Sequence, residues 1–172
     1  VLQCVKKRGE TVICNLCPRN CNAERTEYIG NGFCKMSQNP VLARADIHMW
    51  EEPCISGEKG TGAIFFSGCS LKCCFCQNYP ISHENKGEVI TTTRLIEIIK
   101  ELENRGVHTI DFVNPTHFSH IIIDTLTKYK PQVPVVYNSS GYDSVETLKK
   151  LEGLVDVYLP DLKYFSSEKS NS

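Results

Sequence analysis

From residue 62 onward the sequence predicts an α/β fold, on three observations. Short apolar or β-branched runs recur, helical patterns lie between them, and polar residues follow each run. The runs are GAIFFSG at 62–68, HTIDFVN at 108–114, VPVVYNS at 133–139 and VDVYLPD at 155–161. Strands that alternate with helices of this length pair in parallel through right-handed crossovers. The order predicts an α/β sheet or a parallel (β/α) barrel, and about four βα units would make only a partial barrel.

Three helices are predicted between the strands by apolar residues at helical spacing. In TTTRLIEIIKELENRG, threonines at the start can cap the helix, and Gly106 can end it. The second and third helices lie within HFSHIIIDTLTKY and DSVETLKKLEG. The predicted buried stripes are Leu95, Ile98, Ile99 and Leu102; Phe118, Ile121, Ile122, Leu126 and Tyr129; and Val145, Leu148 and Leu151.

The first part of the chain differs from the rest. Residues 1–61 are rich in Cys, Asn and Gly and show little periodicity, so we predict a cysteine-rich N-terminal segment before a core at 62–172. The chain begins with Val1 and stops in the polar sequence KYFSSEKSNS, just after a strand-like run. We therefore expect the sequence to be a fragment whose core is truncated at its C-terminal end.

Composition limits the classes of function. The chain has 172 residues, 41% of them hydrophobic, with a formal net charge of -1. It contains neither the ~18 consecutive apolar residues of a membrane span nor a signal peptide, so we expect a cytoplasmic protein without a membrane partner. Apart from KKR at 6–8 and KK at 149–150, Lys and Arg are scattered singly, which argues against a nucleic-acid partner. Ten cysteines without an export signal favour metal ligation over disulfides.

Polar residues follow each predicted strand at its carboxyl end. They are SGCSLKC after the first strand, NPTHF after the second, NSSGYD after the third and DLKY after the fourth. In parallel α/β folds, ligands bind at this edge of the sheet. We therefore expect the four loops to form one site.

The loop after the first strand carries Cys69, Cys73 and Cys76 in the spacing C-x3-C-x2-C. Three thiolates on one short loop can each ligate one iron of a cubane cluster, leaving the fourth iron open to a substrate or cofactor. Cys74 is adjacent to Cys73, and neighbouring residues rarely point at one metal, so we expect Cys74 to pack rather than to ligate. The alternative for this loop is a zinc site or buried cysteines without a ligand.

With Phe75 in the aromatic position, CSLKCCFC resembles the C-x3-C-x-aromatic-C signature of the radical S-adenosylmethionine (SAM) superfamily. The resemblance covers roughly Gly62 to Lys163. It implies a radical SAM-type barrel, a [4Fe-4S] cluster on the three cysteines, and SAM bound to the open iron. It also implies that a low-potential electron, from a donor such as flavodoxin or ferredoxin, cleaves SAM to a 5'-deoxyadenosyl radical that abstracts hydrogen from a substrate.

Within this superfamily the sequence resembles activating enzymes of the pyruvate formate-lyase type. DLK at 161–163 resembles their fourth-strand motif, which implies that Asp161 and Lys163 approach SAM as catalytic residues. NSSG at 138–141 resembles their DTNG motif at the ribose and a cation site, although an amide replaces the acid there. This implies cofactor binding by Phe75, Asn138, Ser139, Ser140, Asp161 and Lys163.

The second strand end departs from that family. NPTHF stands where the activating enzymes carry GGE, so no acid is present at this turn. Asn114 and Thr116 can offer oxygen acceptors to the SAM ammonium, and His117 can serve as a proton-transfer or substrate group. The resemblance implies a protein or peptide substrate, with a glycyl radical enzyme as one option. The alternative is a zinc-binding, cysteine-rich interaction module without SAM chemistry.

The N-terminal segment contains Cys14, Cys17, Cys21 and Cys34 in the spacing C-x2-C-x3-C-x12-C. Four cysteines in a segment with little core of its own can close a metal site and so order the chain. Zinc or a second iron-sulfur cluster would fit, and unligated thiols are the alternative. Cys4 and Cys54 belong to neither set, and we expect packing or surface positions for both.

Overall fold

The computed structural model describes residues 11–163, 165, 166 and 168, so Cys4 lies outside the described residues. Eight strands and five helices occur within these residues. They are β1 Val12–Cys14, β2 Ala23–Arg25, β3 Val41–His48, α1 Pro53–Ser56, β4 Thr61–Phe66, α2 Tyr79–Ser82, β5 Glu88–Val89, α3 Thr92–Asn104, β6 Thr109–Val113, α4 Ser119–Lys128, β7 Val135–Ser139, α5 Val145–Leu151 and β8 Val157–Pro160. A short 3-10 helix, Thr116–Phe118, precedes α4.

The central sheet has six strands in the order β5-β3-β4-β6-β7-β8. The strands β4, β6, β7 and β8 are parallel, whereas β3 pairs antiparallel with both β4 and β5. The four strands predicted from sequence are confirmed, and the fold is mixed α/β with a mostly parallel sheet. This sheet is consistent with a partial radical SAM-type fold, and the described strands do not show closure into a barrel.

Strand β3 lies inside the segment that the sequence analysis assigned to residues 1–61. It pairs with β4 in a register that places Asp46 opposite Ala63. Most of its residues are only half-buried, because the strand lies near one edge of the sheet. Its sequence, VLARADIH, therefore lacks the continuous apolar run of a central strand. The sheet extends across the predicted boundary at residue 61.

The hydrophobic core lies between the sheet and the helices. Ile110 and Phe112 of β6 and Leu95 and Ile99 of α3 are all inaccessible to solvent. The predicted apolar faces of α3 and α4 pack here. Val145, the first residue of α5, is 67% exposed and does not face the sheet. Within the described residues, no helix is long and apolar enough to cross a membrane.

The opposite face of the sheet carries different side chains. Because side chains alternate along a strand, Asp111 and Val113 of β6 point away from the face that holds Ile110 and Phe112. Val113 and Asn138 line a cleft on this face, at the carboxyl ends of the parallel strands. The fold thus places the predicted strand-end loops around one concave surface.

Candidate active site

The cleft at the strand ends has a volume of about 360 Å³. Residues from the loops after β4, β6, β7 and β8 line it, as the sequence pattern indicates. Its polar and cysteine lining is Cys69, Cys73, Cys76, Gln77, Asn78, Ser82, Asn114, Asn138, Ser139, Ser140, Asp161 and Lys163. Phe65, Phe66, Leu71, Phe75, Ile81 and Val113 form the apolar part.

Three cysteines of one loop face this cleft. Cys69 is only 8% exposed, and its Sγ accepts a hydrogen bond from the Leu71 N–H at 3.3 Å. Cys76 Sγ accepts one from the Ser82 hydroxyl at 3.2 Å. A turn closed by the Cys76 N–H and the Cys73 carbonyl, 3.1 Å apart, brings the last two cysteines together.

Cys74 differs from the expectation. The turn that directs Cys73 and Cys76 into the cleft leaves Cys74 exposed, so it does not pack in the core. Cys54 is also exposed, which agrees with the surface position that was one of the two expected for it.

The thiols of the loop influence one another electrostatically. Burial is the largest cause that raises the pKa of Cys73, and the neighbouring Cys69 and Cys76 raise it further. The Lys163 ammonium acts in the opposite direction and lowers this pKa. A cation bound by the three sulfurs would remove the penalty of holding thiolates together.

Asn114 is placed at the cleft by an unusual backbone conformation. Its φ of 55° lies in the left-handed region, and its N–H donates to the Asn138 carbonyl at 2.8 Å. Its side-chain Nδ2 donates to the Gly68 carbonyl at 2.7 Å, just before Cys69. Asn114 therefore links the second strand end to the cysteine loop.

Thr116 does not line the cleft, and the structure corrects this expectation. Its hydroxyl is buried and donates to Asp143 Oδ1 at 2.7 Å. Ser139 donates to the other oxygen, Asp143 Oδ2, at 2.6 Å. Asp143 thus holds the second and third strand ends together, a role that the sequence analysis missed.

The structure also corrects the expectation for His117. The side chain is inaccessible to solvent and lies outside the cleft, and its Nε2 is 2.7 Å from the Ser67 carbonyl oxygen. Burial lowers the pKa of His117 to about 3, so the ring is neutral near pH 7 and donates this hydrogen bond. Its own carbonyl accepts from the Arg25 guanidinium at 2.8 Å. His117 supports the end of β4 from behind and does not face a substrate.

Asp161 and Lys163 stand at the rim of the cleft as an ion pair. The Asp161 N–H donates to the Ser139 carbonyl at 2.9 Å, which continues the pairing of β7 and β8 beyond the last strand residue. Phe75, on the cysteine loop, is 57% exposed and lines the same cleft. These three side chains surround the open part of the cleft.

A comparison with known families decides the identity of the fold. The sequence profile described as the radical SAM superfamily matches residues 63–171. The chain belongs to the radical SAM superfamily. Members of this superfamily are enzymes that use a [4Fe-4S] cluster and SAM, so the family implies both groups for this chain in general terms.

One curated relative is also informative about length. The chain is 33% identical over 164 residues to "Uncharacterized protein MJ0674" of Methanocaldococcus jannaschii, covering 90% of this chain and 46% of the relative. The chain thus spans about half the length of the relative that it matches.

Unpartnered polar atoms in the cleft fit the groups that a radical SAM enzyme binds. Asn114 Oδ1 and Ser140 Oγ are buried and have no hydrogen-bond partner among the described residues, although both residues line the cleft. Buried polar atoms without partners are costly, so they commonly mark the place of a ligand. Two acceptors beside three thiols suit a ligand that carries an ammonium and contacts iron.

Asp111 is a polar residue beneath the cleft that the sequence analysis missed. It is inaccessible to solvent, accepts a hydrogen bond from Asn138 Nδ2 at 3.2 Å, and leaves its Oδ1 without a partner in the described structure. Burial raises its pKa to about 7; the bond from Asn138 opposes this, and the charges of Glu51 and Glu52 add to it. An acid within the apolar run TIDFV was the available signal.

Asp111 should make stability depend on pH. Its folded pKa of about 7 exceeds the unfolded value of ~3.9, so the folded state loses stability as pH rises from ~4 to ~7, by up to about 4 kcal/mol. The Asp111→Asn variant should lack this loss and be more stable than the wild type at pH 8. Urea unfolding at pH 4.5 and pH 8 measures the effect, with exposed Glu58→Gln as the control. An unchanged pH dependence in Asp111→Asn would contradict the assignment.

The N-terminal cysteines also come together. Cys14, Cys17, Cys21 and Cys34 line one small cavity behind the cysteine loop. Among the described residues, however, no three His, Cys, Asp or Glu side chains could hold one metal ion between them. The geometry therefore gives no support to zinc at either cysteine group, nor to the alternative of a zinc-binding interaction module.

Proposed function

We propose that this chain carries the catalytic core of an oxidoreductase that cleaves SAM reductively and uses the resulting 5'-deoxyadenosyl radical for hydrogen abstraction. The observation that carries the proposal is the convergence of Cys69, Cys73 and Cys76 on a cleft whose polar lining keeps two unpartnered acceptors. The three thiolates would each ligate one iron of a [4Fe-4S] cluster and leave one iron open. The family match supports this reading.

The chain's own residues have separate roles in this proposal. When bound, the cluster and SAM supply the electron transfer and the radical. Asn114 Oδ1 and Ser140 Oγ would accept hydrogen bonds from the SAM ammonium, since both are buried at the cleft without another donor in the described structure. Lys163 would pair with the SAM carboxylate. It also counters the charge of the thiolates, since it lowers the pKa of Cys73.

The apolar lining provides the rest of the environment. Phe65, Leu71 and Val113 cover the interior of the cleft, while Phe75 stands at its open side. Apolar walls exclude water from a reactive intermediate and strengthen the electrostatic contacts inside. A flavodoxin or a ferredoxin is the proposed electron donor, and the proposed location is the cytoplasm.

The proposed substrate is a protein or peptide, with the activation of a glycyl radical enzyme as one form of the reaction. The DLK and NSSG motifs support an activating-enzyme-like subgroup. Asn138 occupies the position of an acid in that family, but Asp111 lies 3.2 Å behind its amide. A carboxylate is therefore present beneath this strand end, although at a different position in the sequence.

The test is an anaerobic assay for 5'-deoxyadenosine. The chain, reconstituted with iron and sulfide and then reduced, is incubated with SAM. We expect 5'-deoxyadenosine and methionine in equal amounts, and none when the reductant is omitted. A reduced chain that holds an iron-sulfur cluster and binds SAM but forms no 5'-deoxyadenosine would contradict the proposal.

A further inference from the structure

The N-terminal cavity combines four thiols with two guanidinium groups. Cys14, Cys17, Cys21 and Cys34 line it together with Arg19 and Arg25. None of the four cysteines is part of a disulfide. Among the described residues no carboxylate lines this cavity, so their side chains offer positive charge and potential thiolates but no other anion.

Local backbone geometry directs the four sulfurs to the same place. Cys14 ends β1 and pairs with Ala23 of β2. A tight turn follows Cys17, closed by the Asn20 N–H and the Cys17 carbonyl at 3.0 Å. A second turn, in which the Lys35 N–H donates to the Gly32 carbonyl at 2.9 Å, presents Cys34. A hairpin and two turns therefore hold the four N-terminal cysteines around one cavity.

This segment has little hydrophobic core of its own. Its separate buried cluster consists of Cys14 and Leu16. Segments that cannot bury enough apolar surface are commonly ordered by a metal centre or by disulfides. The described cysteines form no disulfides, and four clustered thiols are a typical ligand set for a metal centre.

Arg25 gives an independent indication of an anionic ligand. The residue is 3% exposed, and no carboxylate of the described chain forms an ion pair with it. Its guanidinium donates to two backbone carbonyls and, at 3.3 Å, to Cys34 Sγ, while its Nε has no partner in the described structure. A guanidinium is always charged in proteins, and a buried cation without an anion is strongly destabilising.

The two kinds of metal centre that four thiols can hold differ in the distance between their sulfurs. Around one zinc ion with Zn–S bonds of ~2.3 Å, tetrahedral sulfurs lie about 3.8 Å apart. No such grouping of three ligands exists among the described residues. In a cubane each thiolate binds its own iron, so the four thiolate sulfurs stand further apart than around one zinc ion. A tetrathiolate cubane also carries net negative charge, which complements Arg25 and Arg19.

We propose that Cys14, Cys17, Cys21 and Cys34 bind a second iron-sulfur cluster, a [4Fe-4S] cubane whose four irons are all ligated by the protein. Each thiol releases its proton to solvent when it binds iron. With no open iron, this centre does not bind SAM. The inference is independent of the function proposed for the cleft.

The second cluster would lie directly behind the loop that carries Cys69. Arg19 lines the N-terminal cavity, and its Nε donates to the Ser70 carbonyl at 2.8 Å. Gly68, at a φ of 78°, lies so close to Cys34 that a Cβ would stand 3.0 Å from the Cys34 carbonyl oxygen. The proposed site and the cleft loop are therefore in direct contact through Arg19 and Cys34.

The experiment is an iron, sulfide and zinc count on the whole chain, reconstituted anaerobically with ferrous iron, ferric iron and sulfide. We expect about eight irons and eight sulfides in the wild type, and about four of each in Cys17→Ser/Cys21→Ser. The matched control is Cys54→Ser/Cys74→Ser, which changes two exposed cysteines outside both sets and should keep about eight. Circular dichroism checks that each variant is folded.

A second variant keeps the test decisive if Cys17→Ser/Cys21→Ser does not fold. Cys69→Ala/Cys73→Ala/Cys76→Ala leaves the N-terminal set intact, so it should retain about four irons and give a cluster spectrum that SAM does not change. Full iron content in a folded Cys17→Ser/Cys21→Ser variant would overturn the proposal. So would one zinc per chain that this variant loses, or a cleft-loop variant without iron.

Discussion

A chain in which Cys69, Cys73 and Cys76 are all alanine is expected to form no 5'-deoxyadenosine from SAM above the background. The three sulfurs are the thiols that line the cleft, and without them the cleft has no ligands for iron. The variant should also lose about four irons relative to the wild type. Product quantification after reduction measures the first effect, and iron analysis measures the second.

The matched control for this variant is Cys74→Ala. Cys74 belongs to the same loop but is exposed and does not line the cleft, so its replacement should leave iron content and SAM cleavage near the wild-type values. If the triple variant still cleaved SAM, the cluster would have to be held elsewhere in the chain. Equal loss of activity in Cys74→Ala would show that the loop is sensitive to any change rather than to the loss of ligands.

The second large effect is expected from His117→Ala, on stability. The substitution removes a fully buried ring and leaves the Ser67 carbonyl, now bonded to Nε2 at 2.7 Å, without its donor. The cavity and the unsatisfied carbonyl together should lower the free energy of unfolding by about 2–5 kcal/mol. Urea unfolding at pH 7 measures the change.

His108→Ala is the control, since His108 is exposed and its loss should change stability by less than about 0.5 kcal/mol. The structural role of His117 also bears on how SAM cleavage responds to this substitution. A His117→Ala chain with wild-type stability but no SAM cleavage would restore the proton-transfer role that the sequence suggested.

Strongly periodic or apolar elements were predictable from sequence. The strands β4, β6 and β7 follow from their apolar runs, which a central strand needs, and the helices α3 and α4 follow from apolar residues at helical spacing. The last strand, β8, follows from its run of β-branched and apolar residues. Strand β3 was not found, because β5 pairs only with Val41 and Leu42, so the rest of β3 can carry polar residues such as the exposed Arg44 and the half-buried Asp46.

The cleft was predictable in outline but not in detail. The spacing of Cys69, Cys73 and Cys76 implies a shared ligand, and their loop lines the cleft. Sequence does not show which way a side chain of a short 3-10 helix points, so Thr116 and His117 were both assigned to the ligand, yet both are buried outside the cleft.

The most direct test of the central account is whether SAM contacts the iron held by the cysteine loop. Magnetic resonance of the reduced, reconstituted chain with SAM isotopically labelled at its amino and carboxylate groups makes this measurement. We predict hyperfine coupling between the label and the cluster in the wild type and in Cys74→Ala. A reduced cluster that shows no coupling, although labelled SAM is bound to the chain, would contradict the account.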